Sequence, residues 1–275
     1  VLSSANSINW GRLVPQIVYY FSAYADLVGC ECIKLGDPVN FVVPTGNFGN
    51  ILAGYYAKRM GLPVGKLICA SNQNDVLADF MKSGVYDANR NFYTTMSPSM
   101  DILISSNLER LLYELCGKDD LQVAAMMQEL KENRRYSISQ EMKAQLDADF
   151  WGGTVGDEIC RGIIKKTLDE IGYLIDPHTS VAFGVYDQYK AETGDHTPAV
   201  ILSTASPFKF AGSVLGALGA ERPADEFAAV KALSQGTGAP IPKNIAALEK
   251  AKIRFTKVLL PEEMPREIEL FASQK

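Results

Sequence analysis

Histidine is scarce: His178 and His196 are the only two in 275 residues, and no His/Cys group with metal-ligand spacing can be assembled around them. The sequence therefore gives no metal site. The five cysteines are odd in number and scattered, which excludes the paired framework of a small disulfide-stapled domain. Cys30-Glu31-Cys32 has the spacing of neither a zinc ribbon nor a thioredoxin-like site. No apolar run reaches the roughly 18 residues that a membrane span needs, and no signal-peptide pattern opens the chain. The formal charge is -5 with no basic block, which argues against nucleic acid as a partner. Neither Gly-x-x-x-x-Gly-Lys-[Ser/Thr] nor Gly-x-Gly-x-x-Gly occurs, so P-loop and dinucleotide chemistry lack their signatures. Internal repeats and low-complexity tracts are missing as well. A reducing cytoplasm is the plain reading.

What is present is a globular composition, 47% hydrophobic and 21% charged, sufficient for a sizeable core. Short apolar strands alternate with helices. Strands are expected at 40–44, 66–70 and 199–202, and helices at 50–60 and 181–190. This order is that of a parallel α/β sheet. Val14, Ile17, Val18 and Phe21 follow the spacing of a buried helical face, with Pro15 placed in the first turn. Leu108, Leu111, Leu112 and Leu115 form a second such face, and Ile159, Ile163, Ile164 and Leu168 a third. The region 95–192 reads as a mainly helical insertion, and 240–275 as a tail with a helix near 243–251 and a strand at 253–260. Asp75 and Asp101 read as helix caps.

The densest signal is Phe41-Val42-Val43-Pro44-Thr45-Gly46-Asn47-Phe48-Gly49-Asn50. An apolar strand enters a turn rich in glycine and asparagine, and a helix follows at once. Glycine permits positive φ and close approach, and asparagine tolerates the left-handed region. Unpaired N–H groups at a helix N-terminus favour an anion, most often a phosphate. The plainer alternative is a connecting turn.

Thr45-Gly46-Asn47-Phe48-Gly49-Asn50 resembles the phosphate loop of threonine synthases, which are fold-type II enzymes dependent on pyridoxal phosphate. Asn6-Ser7-Ile8-Asn9-Trp10-Gly11-Arg12, Asp176-Pro177-His178-Thr179-Ser180 and Ser203-Thr204-Ala205-Ser206-Pro207-Phe208-Lys209-Phe210 agree in order and approximate spacing. The resemblance implies a fold-type II sheet of the tryptophan synthase β kind. It also implies conversion of O-phospho-L-homoserine and water to L-threonine and phosphate. By this resemblance Gly46, Asn47, Phe48, Gly49 and Asn50 hold the cofactor phosphate, with Phe48 contributing its backbone N–H alone. Thr204 would give its hydroxyl to the pyridine nitrogen, and Ser206-Pro207 departs from the His-Pro usual there. Asn6, Ser7, Asn9 and Arg12 would lie on the substrate side, or simply cap a helix. His178 stands either against the active site or as a structural member of a helix-capping turn.

The family's Schiff-base lysine sits in an upstream Ser-Phe-Lys-Asp-like segment that these 275 residues do not contain. Lys209 is a poor substitute. The chain is therefore read as a C-terminal fragment, catalytically silent alone, whose partner is the N-terminal part of the same enzyme. Val1-Leu2-Ser3-Ser4 reads as a strand end entering a turn. Homo-oligomerisation is left open. Two alternatives stand beside this reading. One is another fold-type II lyase, such as a threonine or serine dehydratase or a threonine synthase-like phospholyase. Their glycine-richer loops fit the asparagines and Phe48 less well. The other is a non-catalytic anion-binding module.

Overall fold

The computed structural model describes residues 6–254 and 256–273, so the expectation for Val1–Ser4 lies outside the described residues. The chain forms two compact units, Val1–Ala239 and Pro240–Lys275. In the first, helix α1 (Trp10–Gly29) leads to strand β1 (Val39–Pro44), which turns into α2 (Gly49–Arg59). Strand β2 (Val64–Ser71) and helix α3 (Val76–Ser83) repeat that step. A small antiparallel ribbon, β3 (Val85–Asp87) with β4 (Arg135–Ser137), brackets α4 (Leu108–Leu115) and α5 (Asp120–Asn133). There follow α6 (Gln140–Asp149), β5 (Phe150–Thr154), α7 (Asp157–Ile171) and α8 (Pro177–Thr193). The unit closes with β6 (Ala199–Ile201), α9 (Ala211–Ala217) and α10 (Glu226–Thr237). The second unit carries α11 (Lys243–Leu248) and α12 (Met264–Ser273).

Strands β5-β2-β1-β6 make one parallel sheet. Every residue of β1 is buried, and a central parallel strand covered on both faces has to read as an apolar run. From β1 the chain steps outward to β2 and β5, then returns past β1 to lay down β6. Right-handed crossovers in opposite directions put the connecting helices on opposite faces. Accordingly α2 and α3 pack on β1, β2 and β5, and α8 packs on the same strands from the return crossover. The strand order reverses between β1 and β6, and ligands of open α/β sheets bind at such a switch point, beyond the carboxyl ends of the strands.

Several expectations need correction. Region 95–192 is rich in helix but also supplies β5, an integral strand of the sheet. The Leu108 face is buried as expected, whereas in α7 the buried positions are Cys160, Ile164 and Thr167, and Ile159 is exposed. In α1 the buried residues are Leu13, Tyr20 and Tyr24, while Val14, Val18 and Phe21 are exposed. Helix α1 starts earlier than expected, at Trp10, because Asn9 accepts a hydrogen bond from the Gly11 N–H at 2.9 Å. Pro15 therefore sits inside the helix, beyond its first turn. No strand forms among the described residues of 253–260.

Two contacts lock the strands and helices beside the switch point. A Cβ at Gly54 would lie 2.6 Å from Tyr20 Cε1 and 2.9 Å from Leu67 Cδ2. Tyr20 cannot swing aside without losing its hydroxyl bond to the Asn50 carbonyl, 2.8 Å. Gly54→Ala is therefore expected to cost about 1–3 kcal/mol by overpacking, read as a lower urea midpoint at unchanged slope. At the entry to β6, the Asp195 carboxylate accepts from Asn40 Nδ2 at 2.8 Å, from the Thr197 N–H at 2.9 Å, and from the Tyr189 hydroxyl. Hydrogen bonding from the Thr197 side chain and from Tyr189, ahead of the Thr197 N–H and Asn40, holds its pKa well below the usual carboxylate range. A depressed folded pKa means that the stabilisation is full above about pH 4, the unfolded value, and is lost as pH falls below it. The acid limb of the urea midpoint should flatten in Asp195→Asn, and an unchanged limb would remove Asp195 from the account.

Candidate cofactor site

The turn after β1 is held by its carbonyl groups. Ser105 Oγ donates to the Gly46 carbonyl at 2.9 Å. The Asn47 carbonyl accepts from the Asn107 N–H at 3.2 Å and from Asn107 Nδ2 at 2.8 Å. The Leu52 N–H takes the Phe48 carbonyl at 3.1 Å, and the Tyr20 hydroxyl takes that of Asn50. By contrast, the N–H groups of Gly46, Asn47 and Phe48 have no hydrogen-bond partner among the described residues. Those of Gly49 and Asn50 open the first turn of α2, where no N–H has an intrahelical acceptor. That turn carries no acidic residue. The result is a group of main-chain donors at the positive end of a helix, suited to a phosphate.

The left-handed residue is not a glycine. Phe48 takes φ 63° while Gly46 and Gly49 stay at negative φ. Its ring is buried against Phe150, with centroids 6.0 Å apart. Gly46 serves a different need, since a Cβ there would lie 2.7 Å from the Ser99 carbonyl oxygen.

Asn107, fully buried, also ties in the segment before α1. Its Nδ2 donates to the Ser7 carbonyl at 3.2 Å, and Arg110 donates to the Ile8 carbonyl at 2.8 Å and to Asn107 Oδ1. Ser7 Oγ and Ser106 Oγ stand 3.4 Å apart, and Ser106 also donates to Asn47 Oδ1 at 3.3 Å. Asn6, Ser7 and Asn9 are thus brought beside the loop, with Arg12 in the first turn of α1. Asn9 serves as the helix cap.

His178 lies on the other side. Asp176 caps α8 and accepts from His178 Nδ1 at 2.8 Å and from the Thr179 hydroxyl. The Ser99 N–H donates to His178 Nε2 at 3.2 Å. Because a backbone N–H can only donate, Nε2 carries the lone pair and Nδ1 the proton. The ring is buried and both nitrogens are engaged. His178 thereby pins the 98–100 turn that packs against Gly46. Thr179 also reaches Ser203 Oγ at 3.3 Å. Thr204 lies three residues past the end of β6 and is exposed. Lys209 is exposed too, its Nζ 5.6 Å from the Phe210 ring centroid.

Residues 179–265 match the family model "Threonine synthase, C-terminal". Over 219 residues the chain is 48% identical to human threonine synthase-like 1, covering 79% of this chain and 29% of that protein. It is 37% identical to threonine synthase of Pseudomonas aeruginosa over 276 residues, covering 99% of this chain and 52% of the relative. The crystal structure of PLP-bound threonine synthase from Brucella melitensis superposes with a TM-score of 0.82 at 37% identity, over 100% of this chain and 53% of that one. The chain belongs to the threonine synthase family. It spans about half the length of the threonine synthases it matches, or less.

Sequence reasoning in threonine synthase terms found the loop and missed its supports. Ser105, Ser106 and Asn107 gave no signal beyond three small polar residues ahead of a leucine-rich helix. Asn72 and Asn74 join Thr95 and Asp101 in a buried network, with Asn72 Nδ2 2.8 Å from Asp101 Oδ1 and Asn74 Nδ2 3.0 Å from it. Asp101 is thus a network acceptor and not a helix cap. Asp75 stands at the N-terminus of α3 but makes no side-chain cap bond, pairing with Arg90 instead. Asn107→Ala should lose about 1–3 kcal/mol, the cost of stranding buried partners. In this variant the Leu52 amide, bonded to the Phe48 carbonyl of the loop, should exchange faster than in the wild type, whereas unchanged exchange there would show that the loop holds itself.

Proposed function

We propose that this chain supplies the phosphate-binding and ring-nitrogen side of a pyridoxal-phosphate site in a threonine synthase. The whole enzyme would convert O-phospho-L-homoserine and water to L-threonine and phosphate, in the cytoplasm, as the last step of threonine biosynthesis. The observation that carries the reading is the carbonyl-tied loop 46–50 at the switch point, with its N–H donors left over. Such donors fit a phosphate monoester dianion, and the loop has no carboxylate to oppose it.

In this reading the main-chain N–H groups of Gly46, Asn47, Phe48, Gly49 and Asn50 bind the cofactor phosphate. The Thr204 hydroxyl meets the pyridine nitrogen, a neutral partner that leaves that nitrogen largely unprotonated. Bound pyridoxal phosphate supplies the electron sink that makes the carbons beside the substrate amine acidic. Asn6, Ser7, Asn9 and Arg12 present polar groups to the substrate, positioned by Asn107 and Arg110. His178 holds the wall behind Gly46 through Ser99 and moves no proton itself. The partner that completes the site is the N-terminal part of the same enzyme, which would bring the lysine; alone, the 275 residues would be inactive.

A second reading, a threonine synthase-like phospholyase, draws on the 48% identity to a threonine synthase-like protein, human threonine synthase-like 1. A phospholyase would release phosphate without making threonine.

The test uses the polypeptide as its gene encodes it. Pyridoxal phosphate should produce a visible absorbance band that Thr204→Ala shifts, and O-phosphohomoserine should yield phosphate and threonine in equal amounts. Phosphate without threonine would select the second reading. Absence of the band would overturn both.

A further inference from the structure

Helix α1 packs its buried face on α2. Leu13, Tyr20 and Tyr24 are the buried positions. Tyr20 reaches the loop, its hydroxyl 2.8 Å from the Asn50 carbonyl and 3.1 Å from Asn50 Oδ1. Gln16 stands three residues after Leu13 and four before Tyr20, which places it on that same face, one turn nearer the start of the helix. The core-facing stripe of a helix is ordinarily apolar, because an amide taken out of water must be hydrogen-bonded to offset its desolvation. Gln16 is not offset in this way. Its Oε1 is buried and has no hydrogen-bond partner among the described residues.

The amide borders the first residue of α2. A Cβ built on Gly49 would lie 3.5 Å from Asn107 Nδ2, 3.8 Å from Gln16 Oε1 and 3.9 Å from the Ser7 carbonyl oxygen. Asn107 Nδ2 is the donor nearest to hand, but its hydrogens are directed to the Asn47 and Ser7 carbonyls, at 2.8 and 3.2 Å. The Ser7 carbonyl can only accept. Gly49 holds negative φ, and a methyl group there would meet its neighbours at ordinary contact distance. Neither backbone strain nor crowding calls for glycine at this position. Its effect is to leave a gap the size of a methyl group between the Gln16 amide and the loop.

We propose that Gln16 is a phosphate-binding residue, its side-chain amide donating an Nε2–H bond to the phosphate gathered by the main-chain N–H groups of loop 46–50. The inference rests on the phosphate reading of that loop. Oε1 lies beside the positive end of α2, which suits an acceptor. A phosphate dianion reverses the sign of that position. A half-turn about the last bond of the side chain exchanges Oε1 for Nε2, and the amide then offers a donor in place of an acceptor. The Ser7 carbonyl competes for the same N–H, but a hydrogen bond to a charged oxygen is the stronger of the two.

The test uses the polypeptide as its gene encodes it, freed of cofactor, and compares its dissociation constants for pyridoxal phosphate and for pyridoxal by absorbance. The two aldehydes differ only in the phosphate, so the ratio of their affinities reads phosphate binding and cancels any general loosening of the site. Gln16→Met keeps the length and helix propensity of the side chain and removes the donor. It should lower the ratio roughly tenfold, the worth of one hydrogen bond to a charged group, by weakening pyridoxal phosphate alone. Gln16→Glu sets a carboxylate beside the phosphate and should lower the ratio at least about a hundredfold. Circular dichroism checks the fold of both variants. An unchanged ratio, or equal weakening of both aldehydes, would make Gln16 a structural residue and overturn the proposal while the phosphate reading of the loop stands. A wild-type protein that binds the two aldehydes equally well would overturn both.

Discussion

The site depends on how the turn after β1 meets its hydrogen-bonding needs. A buried turn must place both its carbonyl and its N–H groups. Here the two sets are treated differently. The carbonyls of Gly46, Asn47, Phe48 and Asn50 are bonded by protein atoms, while among the described residues the N–H groups of Gly46 to Phe48 are not. A turn fixed through its acceptors keeps its shape without spending its donors. The left-handed Phe48 makes this possible. It costs about 1–2 kcal/mol for a residue with a Cβ, and burying a phenyl ring against Phe150 offsets a cost of that size. A glycine would take the same φ without strain but leave the space beneath the loop empty. Phe48 therefore serves the core and the loop together, and the side chain has no need to touch the ligand.

The groups that bond those carbonyls are placed from far along the chain. Tyr86, stacked on Tyr136 in the β3–β4 ribbon, accepts from the Ser105 N–H at 3.0 Å and donates to the Leu103 carbonyl at 3.0 Å. That contact aligns the stretch from which Ser105 reaches Gly46 and Asn107 reaches Asn47. On the opposite side, Asp176 orients His178, His178 holds Ser99, and Ser99 packs on Gly46. The ribbon and α8 thus converge on one turn. Buried polar networks of this kind are costly unless every member is satisfied. Asn72, Asn107, Asp176 and His178 all have partners. Ser71, at the carboxyl end of β2, keeps a buried hydroxyl oxygen with no partner among the described residues.

How much of this the sequence shows depends on the kind of interaction. An apolar run followed by Gly and Asn and then a helix is a local pattern, so β1, its turn and α2 were legible residue by residue. The leucine face of α4 was legible for the same reason. Periodicity alone does not say whether a face is covered, which is why Val14, Val18 and Phe21 were placed inside and are exposed. Strand β5 was missed because Phe150-Trp151-Gly152-Gly153-Thr154 looks broken by its glycines. In space Gly152 marks close contact, since a Cβ there would lie 2.8 Å from Met81 Cβ and 3.0 Å from Ala78 Cα. A glycine where a helix presses on a strand looks the same in sequence as a glycine that ends one. Ser105, Ser106 and Asn107 were unreadable for a further reason: their partners lie about sixty residues away or more.

The side chains of the motif bear on what Gly-Asn-Phe-Gly-Asn encodes. Asn47 Oδ1 accepts from Ser106, and Asn50 Oδ1 accepts from Tyr20 at 3.1 Å. Phe48 is in the core. Three side chains of the loop therefore contact the protein, and the glycines have none to offer. The motif specifies a backbone shape, and any anion held there meets main-chain N–H groups. Selectivity for a ligand would then have to come from side chains outside the motif. Ser7 and Ile8 are tied beside the loop by Asn107 and Arg110, and Thr204 lies three residues past the end of β6. A loop that binds through its backbone can be shared by enzymes of different substrate choice, so substrate identity has to be sought at its edge.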